Sequence, residues 1–157
     1  MKTLIFSKDQ AYLKIKQYCA YQERSNAEVK EKLYSFSLEI KEVEKIILML
    51  TEENYLDEKR FAIDFARGKF KIKHWGRVKI KYALKQKQVS DVYIKSAIEK
   101  INEDDYKKTL NRLAEQKFKM LGNRENIFII QRKLSDYLLQ KGYERILIKE
   151  VIDKRIM

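Results

Sequence analysis

Residues 25–47 read Ser25-Asn26-Ala27-Glu28-Val29-Lys30-Glu31-Lys32-Leu33-Tyr34-Ser35-Phe36-Ser37-Leu38-Glu39-Ile40-Lys41-Glu42-Val43-Glu44-Lys45-Ile46-Ile47. Ser25 followed three residues later by Glu28 is a capping-box pattern, whose side chains satisfy amides that a new helix leaves unbonded, so a helix is predicted from about Asn26. Val29 and Leu33 recur at helical spacing. After a short turn at Phe36-Ser37, residues Leu38, Val43, Ile46 and Ile47 continue the same apolar face. Two helices sharing one buried side follow from this stretch alone.

The pattern returns twice, at offsets of 51 and then 54 residues. Val29 corresponds to Ile80 and Leu134; Leu33 to Leu84 and Leu138; Leu38 to Val89 and Tyr143; Val43 to Ile94 and Ile148. Ile46, Ala97 and Val151, then Ile47, Ile98 and Ile152, complete the register. A helix ahead of each copy, marked by Ala11-Tyr12-Leu13, Arg60-Phe61-Ala62 and Thr109-Leu110, aligns when loops of unequal length are allowed. Three tandem three-helix repeats are therefore expected, over residues 8–56, 57–103 and 104–156. A unit of about 50 residues buries too little apolar surface to stand alone, so the repeats are expected to stack into an elongated, curved body.

Composition points the same way. Proline is absent and glycine occurs four times in 157 residues, too few for the turn punctuation of a sandwich or barrel. The fold class is all-α. Ser7-x-x-Gln10, Asp57, Ser90 and Asp104-Asp105 mark further helix starts, and Gly122 and Gly142 suit left-handed helix ends, giving about nine helices. The chain contains no apolar run of membrane-spanning length, and the apolar stretch at Met1–Ser7 is too short for a signal peptide, so a cytoplasmic location is expected. A monomer is expected.

Inventory excludes most chemistry. His74 is the single histidine and Cys19 the single cysteine, which removes histidine-based dyads and triads, most zinc sites and any intramolecular disulfide. Cys19 sits near Leu13, Ile15 and Tyr18 and reads as a buried thiol. Gly68 and Gly76 form no phosphate-binding loop. Glu52-Glu53 and Asp104-Asp105 fall at helix ends, where capping and the helix dipole account for them. No catalytic residue, cofactor or metal is predicted; the protein is expected to act by binding.

The net charge is +12, which favours a polyanionic partner. Residues 1–56 carry nine bases and nine acids, 57–103 thirteen and six, and 104–157 thirteen and eight. No acid lies between Asp64 and Asp91, an interval holding Arg67, Lys69, Lys71, Lys73, Arg77, Lys79, Lys81, Lys85 and Lys87. Arg77, Lys81 and Lys85 are four apart and form a stripe that can follow a phosphate backbone. Their equivalents are Asn26, Lys30 and Tyr34 in the first copy and Gln131, Ser135 and Leu139 in the third, so the scaffold alone does not demand the stripe. Lys69, Lys71, Lys73 and Lys79 are further contact candidates. Trp75 admits two roles, a stacking platform for a base or side chain and a wedge between units.

Tyr55-Leu56-Asp57-Glu58-x-Arg60-Phe61-Ala62 resembles the Tyr-Leu-Asp-Asp-x-Arg-Phe-Ala signature of the RecX family of recombination regulators. An Arg-Ser-x-x-Glu-Leu-like start precedes it at Arg24–Val29, a Lys-x-x-Gly-x-x-x-Ile-like segment follows at Lys73–Ile80, and Lys141-Gly142-Tyr143 is similar to the family's closing turn. The resemblance covers residues 8–155. Departures are Glu58 for the second signature Asp, and Phe36-Ser37 and Lys87-Gln88 where Lys-Gly turns belong. The resemblance implies a bacterial cytosolic protein that binds the RecA filament on single-stranded DNA, lies in its groove and limits its growth, ATPase and strand exchange. The alternative is a general DNA-binding helical module with no RecA partner. Within the signature, Asp57 is expected to cap a helix and Tyr55, Leu56, Phe61 and Ala62 to pack the first joint between repeats. Arg60 either pairs with a carboxylate or faces the filament.

Overall fold

The computed structural model describes residues 6–122 and 125–156, so the reading of the first five residues lies outside it. Nine α-helices and no strand occur among the described residues. They are α1 Lys8–Tyr21, α2 Asn26–Ser35, α3 Ile40–Glu52, α4 Glu58–Lys73, α5 Arg77–Gln86, α6 Asp91–Glu99, α7 Glu103–Leu121, α8 Ile127–Lys141 and α9 Arg145–Ile156. None is long and apolar enough to cross a membrane.

Side-chain acceptors cap several of the helix starts, though α3 follows Glu39 without one. Ser7 and Gln10 form a reciprocal capping box, with the Gln10 amide donating to Ser7 Oγ at 3.2 Å and the Ser7 amide to Gln10 Oε1 at 3.0 Å. Ser25 Oγ accepts from the Glu28 amide at 3.1 Å, and Asp57 Oδ1 from the Arg60 amide at 3.0 Å. Asn102, rather than Asp104 or Asp105, caps α7, accepting from the Asp105 amide at 2.9 Å. The acids Glu103, Asp104 and Asp105 fill the first turn, where the dipole favours them.

Burial follows the triplet register. Val29, Ile80 and Leu134 are wholly buried, as are Leu33, Leu84 and Leu138. The remaining twelve positions are buried too, except Ile47 and Ile98, which are half-buried. Each fully buried aliphatic side chain stabilises by about 1.5–3 kcal/mol, so the periodicity that marks the helices also supplies their cohesion.

The turns between second and third helices keep one geometry through all three copies. Ser37, Gln88 and Gly142 occupy equivalent places and all have left-handed backbones, with φ of 64°, 62° and 98°. Their amides donate to Tyr34 O, Lys85 O and Leu139 O at 3.0, 2.9 and 2.9 Å. In the second and third copies the next amide, Val89 or Tyr143, closes on Leu84 O or Leu138 O at 3.2 Å, completing the doubled hydrogen-bond pattern of a helix terminus. The turn is thus built without glycine in two of three places.

Two compact units result. The first comprises the residues through Phe65 together with Leu84–Ala97. Its core is made by residues such as Ile15, Val29, Leu33, Val43, Ile46 and Leu50, with Cys19 buried beside them. Burial pushes the Cys19 thiol up to about 11, so the group is held neutral. The second comprises Ala66–Ala83 together with the residues from Ile98 onward. There α7, α8 and α9 pack on one another around Leu110, Leu134, Leu138 and Ile148. The aromatic rings of Phe70, Tyr106 and Tyr143 extend this core, with centroids 5.7 and 5.1 Å apart in succession.

Candidate functional site

The basic residues ride on α4 and α5, and the segment joining these helices is held by backbone contacts. His74 ends α4 with φ of 59°, and the Trp75 amide donates to Lys69 O at 3.1 Å. The Gly76 amide donates to Lys141 O at 2.8 Å and the Val78 amide to Gly142 O at 2.9 Å. Tyr143 Oη donates to His74 O at 2.8 Å. The start of α5 is therefore seated on the turn between α8 and α9, within the second unit.

The expected stripe divides by role. Arg77 is not a free charge: its Nη1 donates to Glu144 Oε2 at 2.8 Å, its Nη2 meets Glu103, and its guanidinium lies 3.8 Å from the centroid of the Tyr106 ring. The Arg77 amide donates to Tyr106 Oη at 3.0 Å, and that hydroxyl donates to Glu144. Burial opposes the charge on Arg77, but Glu144, Tyr106 and Glu103 outweigh it and hold its pKa above the ordinary value. Burial, reinforced by Glu144, likewise raises the Tyr106 hydroxyl. The sequence pattern registers the spacing of Arg77 and is blind to acids 26 and 67 residues away.

Lys81 and Lys85 are exposed on α5 and form no ion pair among the described residues. Lys71 and Lys73 are exposed at the end of α4. Lys69 and Lys79 approach the half-buried Trp75, with ammonium groups 5.0 and 4.6 Å from the ring centroid, and Lys79 also reaches Gln140 O at 3.4 Å. Trp75 thus serves as a cation-bearing ring in the second unit.

The signature string serves the first unit. Leu56, Phe61 and Ala62 are buried, and Asp57 caps α4. Tyr55 departs from the expected packing: it stays 37% exposed, with Lys16 5.3 Å from its ring centroid. Arg60 pairs with a carboxylate, its Nε donating to Glu23 Oε1 at 2.6 Å and its Nη2 to Asn54 O at 3.1 Å.

A groove of about 330 Å³, not anticipated from the sequence, lies between the end of α4 and the first half of α7, floored by Phe70 and lined by Lys71, His74, Asp105, Lys108, Thr109 and Arg112. Asp105, Lys108, Thr109 and Arg112 share a face of α7 by helical spacing, which is visible in the sequence. Their meeting with His74 is not, since it needs the packing of Phe70 on Tyr106. Arg112 Nη2 lies 3.4 Å from His74 Nδ1. Burial and then the charges of Arg112 and Lys141 hold the imidazole below its ordinary pKa.

Residues 57–98 match the family model described as RecX, second three-helix domain. The chain is 35% identical to the regulatory protein RecX of Clostridium tetani over 132 residues, 83% of this chain and 60% of that protein. It is 33% identical to the regulatory protein RecX of Clostridium botulinum strain Eklund 17B, over 85% of this chain and 62% of that protein. The chain therefore spans about three-fifths of the length of these curated relatives. With the regulatory protein RecX of Prosthecochloris aestuarii it shares 27% identity over 87% of both chains. The crystal structure of RecX from Lactobacillus salivarius superposes with a TM-score of 0.85 at 23% identity, over 94% of this chain and 95% of that one, a likeness of fold.

Proposed function

We propose, from the premise that this chain belongs to the RecX family of regulatory proteins, that it is a non-catalytic modulator of the RecA filament on single-stranded DNA. In this reading it is a cytoplasmic monomer that lies in the filament groove, limits filament growth or stability, and so lowers DNA-stimulated ATP hydrolysis and strand exchange. Any ATP chemistry belongs to the filament. The observation that supports this beyond the similarity to RecX proteins is the charge on α5: Lys81 and Lys85 are exposed and form no ion pair among the described residues, where the equivalent places in the other repeats hold Lys30 and Tyr34, or Ser135 and Leu139. Lys71 and Lys73 add charge on α4. Several weak contacts of this kind add through effective concentration once one is made.

The test adds purified protein, in stoichiometric excess and at low salt, to filaments assembled on single-stranded DNA. Loss of ATP hydrolysis and strand exchange is expected, with a weaker effect from the Lys81→Glu/Lys85→Glu double variant. No change in either activity would overturn the proposal. Equal affinity for bare duplex and for the filament, with a steep salt dependence, would favour a general DNA-binding module instead.

A further inference from the structure

The groove between α4 and α7 carries an imbalance that the fold does not use. Lys71, Lys108 and Arg112 line it against one carboxylate, Asp105, and none of the three cations forms an ion pair among the described residues. Structural cations in the same unit behave differently: Arg77 is matched to two carboxylates and an aromatic face. Three like charges around one depression repel one another, and an oxyanion entering the groove relieves that repulsion.

The donor set has the chemistry of a phosphate site. Arg112 offers a planar fork, Lys71 and Lys108 offer compact charges, and the Thr109 hydroxyl offers a neutral donor. His74 is fixed at the wall by its left-handed backbone, by the hydrogen bond its amide donates to Phe70 O at 3.0 Å and by the Tyr143 hydroxyl donating to its carbonyl. It is faced from α7 by Arg112, Lys108 and Asp105, from α4 by Lys71, from the end of α8 by Lys141 and from the turn after it by Tyr143.

We propose that this groove binds a phosphate oxyanion through Lys71, Lys108, Arg112 and Thr109, with His74 as an additional donor once it is protonated. The site is distinct from Lys81 and Lys85 on α5 and does not depend on a RecA partner. Its ligand is a phosphodiester of a nucleic-acid backbone or a free phosphate, which share this chemistry. A bound phosphate anion beside His74 favours the imidazolium, opposing the effect of Arg112 and Lys141.

His74 is the only histidine, so its Cε1–Hε1 signal in untagged protein reports on the site alone. The experiment titrates that signal with pH at constant ionic strength, in chloride, with inorganic pyrophosphate, and with an octamer of deoxythymidylate, without RecA. The expected result is a saturable rise in the His74 pKa of about 0.5 unit or more. Affinity should fall about five- to tenfold in Arg112→Gln and in Lys108→Gln, and should persist in Lys81→Glu/Lys85→Glu. A response to the octamer alone identifies backbone phosphate as the ligand; a response to pyrophosphate alone identifies free phosphate. No pKa change with either probe, or octamer binding that is indifferent to Arg112, overturns the proposal. Because RecA is absent, that outcome leaves the filament reading to be judged separately.

Discussion

Gly76 and Gly142 meet backbone to backbone. A Cβ built on Gly76 would fall on the Gly142 carbonyl and 2.6 Å from Tyr143 N, and one built on Gly142 would lie 2.7 Å from Lys79 N. Backbone atoms cannot step aside as a flexible side chain can, so the two glycines permit the hydrogen bonds that the Gly76 and Val78 amides donate to the α8–α9 turn. Gly76→Ala is expected to destabilise the second unit by about 1–3 kcal/mol through overpacking. Gly142→Ala should cost more, because its φ of 98° adds backbone strain. Gly68, within α4, is the control: a Cβ added there would meet nothing within 4 Å, and Gly68→Ala should stabilise by about 0.5–1 kcal/mol. Urea unfolding of the three variants checks the order.

Arg77 and Lys81 share a helix but should respond differently to mutation. Arg77→Ala removes contacts to Glu103, Glu144 and the Tyr106 ring, and is expected to cost about 1–2 kcal/mol, since the side chain is only 21% exposed. Arg77→Lys should recover little, because one ammonium cannot reproduce two guanidinium bonds and a stacked face. Lys81→Ala should alter stability by less than about 0.5 kcal/mol. Thermal melts of the three proteins separate a structural cation from a surface one, and equal losses in Arg77→Ala and Lys81→Ala would contradict the assignment.

That contrast marks how far the sequence can be read. Repeat register and helix number are legible in it, because periodicity of apolar residues and capping signals act over a few residues. Arg77 reads as a contact residue because its spacing to Lys81 is local, whereas its partners lie on α7 and at the start of α9. Tyr55 reads as part of a joint because aromatic residues favour burial, yet it stays at the surface beside Lys16. His74 shows no chemistry in the sequence, since a lone histidine has no partner there. Its meeting with Arg112 arises only when α4 packs on α7.

Ser37 and Gln88 hold left-handed backbones that Gly142 holds at no steric cost. An L-residue in that conformation costs about 1 kcal/mol or more. Ser37→Gly and Gln88→Gly are therefore each expected to raise stability by about 0.5–1 kcal/mol, less than the full strain because glycine also loosens the unfolded chain. Both changes together should be nearly additive, as the turns belong to different repeats. A fall in the urea midpoint for either would show that its side chain contributes more than its backbone costs.

Stability should also decline in mild acid, through His74. Burial, Arg112 and Lys141 lower the pKa of His74 in the folded protein, so the fold favours the neutral ring and the unfolded chain takes up the proton more readily. The contribution is complete above the ordinary value of 6.5 and is lost as pH falls through it toward the folded pKa. Glu53, held low by the neighbouring Tyr12 hydroxyl and by Lys16 at 3.1 Å, loses its contribution only below the ordinary carboxylate value of 4.5, outside this window. The urea midpoint should therefore drop between about pH 7 and 5, less steeply at high salt, where the charges of Arg112 and Lys141 are screened. His74→Asn keeps a residue that tolerates φ of 59° and removes the titration, so its midpoint should change less over the same range. An identical slope in wild type and variant would place the linkage elsewhere.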